Sequence, residues 1–554
     1  VGIGNSSLET WTSDYTALQF GGAASLAATT TQAAGDVSFL SHNCYYDTTN
    51  SRWEYMSTNA DDEASQIYQQ NGAIVFRNAS AAGADDAAVS WTTSMKVDYN
   101  SQMFTSNEPA ENTGNTIYGY QAMNASSNNG SDHNTIFGHL AMGTGTVNGA
   151  TYNTVMGYRA GDDITAGDKS VYIGAWAGDA SADVDNAVAV GYAAMGSGTT
   201  TNGADGSISI GYYALNVLTS GAGNIAIGSG SLALATTAAS NTIIGTAAGS
   251  KIVDGAYNTA VGYHALRDAP EAAAHNTAVG YNALPDVSTD GDGRNTAVGS
   301  RAGLVVSSGI FNNFFGNGAG VAISTGGYNT AIGGDALASE DTGTATVAIG
   351  HGAAYSQNYD GSSGNVVIGH NAGYHNVTGV NNTYIGRAAG LGASGQSNHS
   401  NTFIGGSAGI AIEGGDENTF VGYLAGSGSK DVDRAVFVGI HAGQKASDSN
   451  NDGLVAIGYA AAGSTTNGTG NVAVGYSAMS DATTVQESVA LGYQAMATHG
   501  TGNRNIAIGY QAMTDTNAGS TSAGSTDNIF IGKLAGGGTW SNTESNNNVG
   551  IGNL

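Results

Sequence analysis

Apolar and polar positions along most of this chain repeat as one nine-residue phrase, which occurs 24 times. Two examples are NTAVGYHAL at Asn258–Leu266 and NTFVGYLAG at Asn418–Gly426. The phrase is short, rich in β-branched residues and followed by polar Gly, Ser, Asn and Asp residues, which is typical of a strand that leads into a loop. Repetition at a short period indicates that each copy buries its apolar residues by stacking on its neighbours. The sequence therefore predicts an all-β chain dominated by a parallel β-solenoid, or β-roll, of about 24 turns.

One glycine is present in every copy, and we call these residues the column glycines. Their commonest spacing is 17 residues, no spacing is shorter, and the longest is 23. The third residue after the column glycine is Ala in all copies but one, and the fourth residue before it is Asn in 17 copies. We expect the Asn side chains to hydrogen-bond from turn to turn as a ladder. The residues that represent these structural positions are Gly119, Gly262, Gly280, Gly422, Gly475, Gly509, Ala265 and Asn258.

Alternation within the phrase places Asn, Ala and Gly on one face of the strand and Thr, Val and Tyr on the other. Neither face carries a charge before the glycine. A strand without a polar face is buried on both sides, so further copies of the chain are the simplest cover for the second face. The Tyr residues that follow many column glycines are expected to stack as a second ladder. Where Phe replaces the central Ala, we expect uneven spacing between turns; these residues are Phe314, Phe403, Phe420, Phe437 and Phe530.

Composition disfavours several classes of function. The net charge is −28, and the 15 Lys and Arg residues are not clustered, so binding to nucleic acid or to an anionic membrane surface is not expected. No apolar run approaches the roughly 20 residues that span a bilayer. Cys44 is the sole cysteine, which excludes a disulfide framework within the chain.

The N-terminal segment lacks the repeat and contains three of the five tryptophans, Trp11, Trp53 and Trp91. It reads as a small antiparallel β domain whose aromatic side chains either form its core or stack on sugar rings. We therefore divide the chain into an N-terminal β domain (1–110), a repeat shaft (111–540) and the start of a further module or a truncated end (541–554). The predicted strands of the first domain are Asp14–Phe20, Asp36–Asp47, Arg52–Ser57, Gln66–Arg77 and Ala87–Tyr99, with a turn at Asp47–Ser51.

Two resemblances add to this interpretation. The phrases TVAIGHGA (Thr346–Ala353) and SVALGYQA (Ser488–Ala495) resemble the head repeats of trimeric autotransporter adhesins, although the turn is longer here. This likeness implies a left-handed roll and a homotrimer. The run from VGIGNSS to SWTTSMKVD within residues 1–98 resembles modules in the tail fibres of marine bacteriophages. Together the resemblances imply a trimeric viral fibre that contacts a bacterial surface.

One stretch has the opening spacing of a calcium-binding loop, with Asp448, Asn450 and Asp452 as the candidate ligands. The twelfth position is Tyr459, where such a loop needs a bidentate Glu. Ordinary Asn/Asp turn chemistry explains the stretch equally well. Apart from this weak calcium candidate, no cofactor is expected.

Chemical activity is not predicted. Glycoside hydrolysis needs two carboxylates at a fixed separation, whereas the acidic pairs, such as Glu340 with Asp341 and Asp416 with Glu417, fall in loops between strands. No Ser or Cys nucleophile has a recognisable partner base. Regular Thr ladders suit ice binding, but the Asn-Thr pair is absent from too many turns.

The sequence therefore favours a non-enzymatic fibre that attaches a virion, as its tail fibre, to a bacterial surface glycan or protein. A bacterial cell-surface adhesin or biofilm fibre is the main alternative, with an extracellular location. A tailspike that depolymerises polysaccharide is the second alternative. Recognition residues are expected in the longest insertions between repeats, which are Thr514–Thr526 and Gly196–Asp205.

Overall fold

Strands account for nearly all regular structure in the part of the chain that the structure describes. In the computed structural model, the helical elements whose bounds are described are two 3-10 turns, Asn202–Ala204 and Ser449–Asn451. The described residues are 2–3, 15–20, 24–29, 37–47, 52–55, 64–70, 73–79, 88–97, 103–104, 114–123, 130–143, 147–269, 272–287, 292–514, 524–538 and 545–553.

The N-terminal segment forms the predicted antiparallel sheet. Eight strands pair in the order β1-β2-β3-β4-β7-β8-β9-β10, with only the first pair parallel, and β5 and β6 form a separate hairpin. The strands are β1 Gly2–Ile3, β2 Tyr15–Phe20, β3 Ala24–Thr29, β4 Val37–His42, β5 Cys44–Asp47, β6 Arg52–Tyr55, β7 Ala64–Gln70, β8 Ala73–Ala79, β9 Thr92–Val97 and β10 Met103–Phe104.

Two strands predicted as continuous are each divided in two. Gln66–Arg77 is a hairpin of β7 and β8, and the Asn-Gly dipeptide between them is a hairpin signal that the prediction overlooked. Asp36–Asp47 breaks at Asn43, whose φ of +53° directs β4 and β5 into different sheets. Strand β3 was also missed, because its run of Ala and Ser carries few of the residues that favour strands.

Each copy of the repeated phrase forms one strand of three residues, which ends at the residue before the column glycine. The strands pair in parallel with their sequence neighbours, and equivalent residues lie opposite each other. This confirms the parallel solenoid of about 24 turns. The strands are β11 Thr116–Tyr118, β12 Thr135–Phe137, β13 Thr154–Met156, β14 Val171–Ile173, β15 Val188–Val190, β16 Ile208–Ile210, β17 Ile225–Ile227, β18 Thr242–Ile244, β19 Thr259–Val261, β20 Thr277–Val279, β21 Thr296–Val298, β22 Asn313–Phe315, β23 Thr330–Ile332, β24 Val347–Ile349, β25 Val366–Ile368, β26 Thr383–Ile385, β27 Thr402–Ile404, β28 Thr419–Val421, β29 Val436–Val438, β30 Val455–Ile457, β31 Val472–Val474, β32 Val489–Leu491, β33 Ile506–Ile508, β34 Ile529–Ile531 and β35 Val549–Ile551.

The chain divides into two compact units within the repeat region. The first comprises Val1–Gly230 and Leu234–Ala239, and the second comprises Ser231–Ala233 and Ser240–Leu554. Strands β11–β17 belong to the first unit and β18–β35 to the second. The domain boundary predicted near residue 110 falls within 105–113, outside the described residues, and stays a prediction. At the other end, Val549–Ile551 pairs with β34 in the same register as the other turns.

The column glycines occupy a position that no other residue fits. Their φ values lie between +129° and +148°, a region that side chains exclude. A Cβ atom built on Gly262 would lie 2.5 Å from the carbonyl oxygen of Gly280 in the next turn, and one on Gly422 would lie 2.5 Å from that of Gly439. Both the backbone conformation and the contact with the next turn therefore require glycine, which explains why one glycine is present in every copy.

Inside the solenoid, the central residue of most strands is matched in size to the residue six positions later. All seven aromatic centres are followed by glycine, whereas Ala centres are usually followed by Leu or Met. A Cβ on Gly426 would lie 2.5 Å from the ring of Phe420, and Ala260 with Leu266 is completely buried in its own turn. The aromatic pairs are Tyr172 with Gly178, Phe314 with Gly320, Tyr384 with Gly390, Phe403 with Gly409, Phe420 with Gly426, Phe437 with Gly443 and Phe530 with Gly536.

The prediction that Phe makes the spacing uneven was wrong. Phe403, Phe420 and Phe437 stack face to face with centroids 4.6 and 4.5 Å apart, close to the ordinary distance between neighbouring strands. The paired registers also continue unbroken through these turns. Glycine six positions later makes room for each ring, so the turn keeps its volume and its spacing.

We expect Gly422→Val to destabilise the solenoid by about 3 kcal/mol or more, because it adds backbone strain and an overlap with the next turn. Gly406→Val is the matched control, since a Cβ there meets only the ring of Tyr423 at 3.4 Å. Thermal unfolding followed by circular dichroism measures both. Equal melting temperatures for the two variants would contradict the role of the column.

Phe420→Ala should cost about 3–5 kcal/mol through the cavity that it leaves. Adding Gly426→Leu should recover much of that loss, because Leu266 and Leu284 already occupy the equivalent position at φ values of +50° and +44°. Gly426→Leu alone should destabilise, since its side chain collides with the ring. Denaturant unfolding of the three variants forms a double-mutant cycle; additive effects would rule out the size matching.

Candidate functional surfaces

Every solenoid strand has one interior face and one outward face. The central residues, such as Ala260 and Phe420, and the Asn residues before the strands are inaccessible to solvent. The two flanking residues of a strand are half-buried or exposed: Ile210, Ile404 and Leu491 keep 37, 38 and 45 % of their surface accessible in the single chain. The sequence alone did not reveal which face is interior, because both are uncharged.

The outward face, formed by the first and third residues of the strands, is mostly β-branched and free of charge. Its first position is Thr, Val or Ile in all strands β11–β35 except at Asn313, and its third position is always apolar. The charged residues of the repeat region lie before the Asn or after the column glycine. The outward face is therefore uncharged and largely apolar within each compact unit, with Thr as its main polar residue, and large exposed apolar surfaces mark interaction sites.

Tyrosines border this face just after the column glycines. Tyr459, Tyr476, Tyr493 and Tyr510 stack with centroids 5.0, 5.2 and 5.1 Å apart. Each keeps 42–48 % of its surface exposed. The predicted Tyr ladder is confirmed in these turns, and because the rings cover each other's faces, they present their edges and hydroxyls outward.

The predicted Asn ladder is confirmed, because the Asn side chains hydrogen-bond from turn to turn. Asn258 Oδ1 accepts a hydrogen bond from the backbone N–H of Asn276 at 3.0 Å, and Asn258 Nδ2 donates to the carbonyl of Ala273 at 2.7 Å. Most amides therefore join backbone groups of neighbouring turns, and direct amide contacts such as Asn258 to Asn241 at 3.1 Å are secondary. Ala265 is fully buried, and its carbonyl accepts a hydrogen bond from the backbone N–H of Gly249 in the preceding turn. These residues have a structural role.

The tryptophans of the first domain that the structure describes pack inward. Trp53 and Trp91 lie against the buried cluster of Cys44, Tyr55, Ala64 and Ala79, and their rings meet edge to face at 6.1 Å. The guanidinium of Arg77 lies over the ring of Trp91 at 4.2 Å. Of the two interpretations of these aromatics, the core role fits these contacts. Trp11 lies outside the described residues.

The opposite face of this sheet carries a groove of about 490 Å³. Leu40, Ile67 and Phe76 lie side by side across β4, β7 and β8, and His42 and Ser65 line the groove beside them. Leu40 and Ile67 keep 49 and 40 % of their surface exposed.

The calcium candidates make turn contacts. Asp448 Oδ1 accepts from the backbone N–H of Asn450 at 3.2 Å, and Asp452 Oδ1 accepts from that of Asp433 at 3.0 Å. Asp452 also pairs with Arg434. Within the described part of the chain, no group of three or more His, Cys, Asp or Glu side chains is placed to hold a metal ion. These contacts are explained by turn hydrogen bonds and an ion pair without a metal ion, and calcium binding stays a prediction.

Of the two predicted recognition loops, the structure describes Gly196–Asp205 completely and Thr514–Thr526 only at its ends. Residues 515–523 of Thr514–Thr526 lie outside the described residues. In Gly196–Asp205, the N–H groups of Ser197 and Thr201 donate to carbonyls of the next turn. Thr200 and Ala204 are fully buried, so this insertion is integrated into the stack.

The most buried of the predicted loop acids is engaged by the backbone. Glu340 is inaccessible to solvent, and its carboxylate accepts hydrogen bonds from the N–H groups of Gly343 and Tyr359 at 2.7 and 3.2 Å. Burial raises the pKa of Glu340 despite these bonds. Its neighbour Gln357 adds a third hydrogen bond at 3.2 Å, an arrangement that joins two adjacent turns.

Comparison with protein-family models, with curated proteins and with solved structures gave no match. Among the residues that the structure describes, no helix has the length and apolar character needed to cross a bilayer.

Cys44 should not react with iodoacetamide at pH 8 while the protein is folded. Burial raises the pKa of this thiol to about 12, so the reactive thiolate is not populated. Labelling should begin only when guanidinium unfolds the domain. Ser38→Cys, on the exposed side of β4 in the neighbouring eight-stranded sheet, supplies the reactive control; equal labelling of both thiols in the folded protein would show that Cys44 is accessible.

Proposed function

We propose that this protein is a structural fibre of the adhesin type, in which three copies pack their outward faces together. The observation that carries the proposal is the outward face itself, which is largely apolar, uncharged and half-exposed in a single chain. The protein has a net charge of −28, yet this face carries no charge at all. Depletion of charged residues is typical of a surface that a partner covers.

A second copy is the partner that fits this face best. Its residues recur once per turn, at the spacing of neighbouring strands, roughly 4.8 Å. A partner must match that repeat over many turns without charged groups, and another copy does so by construction. Closed symmetric assemblies of one chain are also the commonest oligomers. The number three comes from the resemblance of the repeats to trimeric adhesin heads.

The tail-fibre role comes from the resemblance of the N-terminal segment to marine phage fibres, and it assigns the protein to a virion and to attachment at a bacterial surface. The same architecture serves the alternative of a bacterial surface adhesin or biofilm fibre. The proposal assigns no reaction to the chain. The tailspike alternative is tested by incubating the protein with bacterial capsule, since shortened polymer would establish hydrolysis.

In solution, the protein should have three times its chain mass of 55.2 kDa. The double variant Ile385→Lys/Ile404→Lys places charges on the outward face and should dissociate the assembly, because the lysines would be desolvated at the interface. Native mass spectrometry and sedimentation equilibrium measure both states.

The matched control is Asn381→Lys/Ser400→Lys, which places the same charges in the same two turns, before the ladder Asn residues. Lys169 and Arg434 already occupy the equivalent position elsewhere, so this variant should stay trimeric. A monomeric wild-type protein, or dissociation by both variants alike, would refute the assembly through the outward face.

A further inference from the structure

Five successive turns carry a row of ring and guanidinium side chains away from the outward face. We call this row the aromatic column; it occupies the position before the ladder Asn in turns β19–β23. Its members are Tyr257, His275, Arg294, Phe311 and Tyr328. Tyr257 and Tyr328, at its two ends, are 62 and 60 % exposed, more than most large apolar or aromatic side chains of the chain.

The members of the column contact one another from turn to turn. Tyr257 stacks on His275 with centroids 5.0 Å apart, Arg294 lies 5.3 Å from the centre of the Phe311 ring, and Phe311 stacks on Tyr328 at 5.2 Å. Asp292 joins the two halves: one oxygen lies 2.7 Å from His275 Nδ1 and the other accepts from Arg294 at 2.6 Å. The column is therefore an ordered surface.

Both ends of the column are open. The residue equivalent to Tyr257 in the preceding turn is Ser240, and the residue equivalent to Tyr328 in the following turn is Ala345. These small side chains leave one face of each terminal Tyr ring without a stacking neighbour in the next turn. A planar or ring-shaped group of a ligand can stack on the open face of each terminal Tyr ring. It would occupy the place of the side chain that the next turn lacks, at a distance of about one strand spacing.

The fold does not require large side chains at this position. All five members have φ values between +49° and +60°, a conformation that is strained for bulky residues. Elsewhere the same position holds small residues such as Gly206, Ser240 and Ala345. The rings stack only on one another at the surface, and the strain and exposure of the terminal Tyr residues favour contact with a molecule outside the chain.

We propose that the aromatic column binds a neutral glycan chain. Each terminal Tyr ring offers an apolar face for the C–H side of a sugar ring together with a polar hydroxyl. His275, Asp292 and Arg294 supply the mixed donors and acceptors that sugar hydroxyls need. Asp292 already neutralises Arg294, and the chain carries a net charge of −28, so a polyanionic glycan is disfavoured. This inference rests on the proposed attachment function and gives it a site and a ligand class.

Affinity electrophoresis tests the proposal with three neutral polysaccharides, namely dextran, a β-1,3-glucan and a galactomannan, and with alginate as the polyanion. At least one neutral polymer should retard the wild-type protein. Tyr257→Ser/Tyr328→Ala should weaken that binding about tenfold, or about 1.4 kcal/mol. Ser and Ala occupy the same position in the neighbouring turns, so the variant should melt like the wild type.

Tyr152→Ala is the matched control, because Tyr152 occupies the equivalent position in another turn, is 58 % exposed and stacks on His133. It should leave the retardation unchanged. Retardation by none of the neutral polymers, equal loss in both variants, or binding to alginate alone would overturn the proposal.

The same samples separate this inference from the proposed assembly. If the wild-type protein is a trimer that no neutral polysaccharide retards, the proposed assembly is supported and the proposed glycan site is refuted. If the wild-type protein is a monomer that a neutral polysaccharide retards, and the Tyr257→Ser/Tyr328→Ala variant is not retarded, the glycan site is supported and the assembly is refuted.

Discussion

The close approach of backbones at the column glycines is the constraint on which the solenoid depends. At each of these positions, φ values near +140° direct the chain out of the strand, and the next turn lies where a side chain would be. A single substitution therefore disturbs both the turn that contains it and the turn above it. The Asn ladder complements this contact, because each amide bonds to backbone groups of neighbouring turns and satisfies buried polar atoms that strands of three residues leave unpaired.

Within this frame, the interior volume is conserved in most turns. A large ring at the centre of the strand coincides with glycine six residues later, and a central Ala usually coincides with Leu or Met. The interior residues can therefore differ from turn to turn while the strand register stays the same. This explains how a sequence with many different interior residues maintains one repeat, and it leaves the outward residues free to serve contacts with other molecules.

Much of the solenoid could be predicted from the sequence, because a glycine and an Asn that recur at fixed positions have direct physical meanings. The interior face could not be predicted, since neither face of the phrase is charged. The effect of Phe420 was misjudged because its partner, Gly426, lies outside the strand. In the first domain, the Asn-Gly dipeptide between β7 and β8 was an available signal that was not used. The aromatic column was missed because its five members look unrelated until their turns are aligned.

The most direct measurement of the central claim is a disulfide test of the register between neighbouring turns. Thr402 and Thr419 are direct partners on β27 and β28, so Thr402→Cys/Thr419→Cys should form an intrachain disulfide readily under mild oxidation. Thr402→Cys/Val421→Cys, displaced by two residues and more than about 7 Å apart, should form it poorly. Intrachain bonds are identified by peptide mass mapping of chains that remain monomeric under denaturing conditions. Selective bonding of the first pair supports turns stacked in register on their glycines; equal bonding of both pairs, or none in the first, would contradict it.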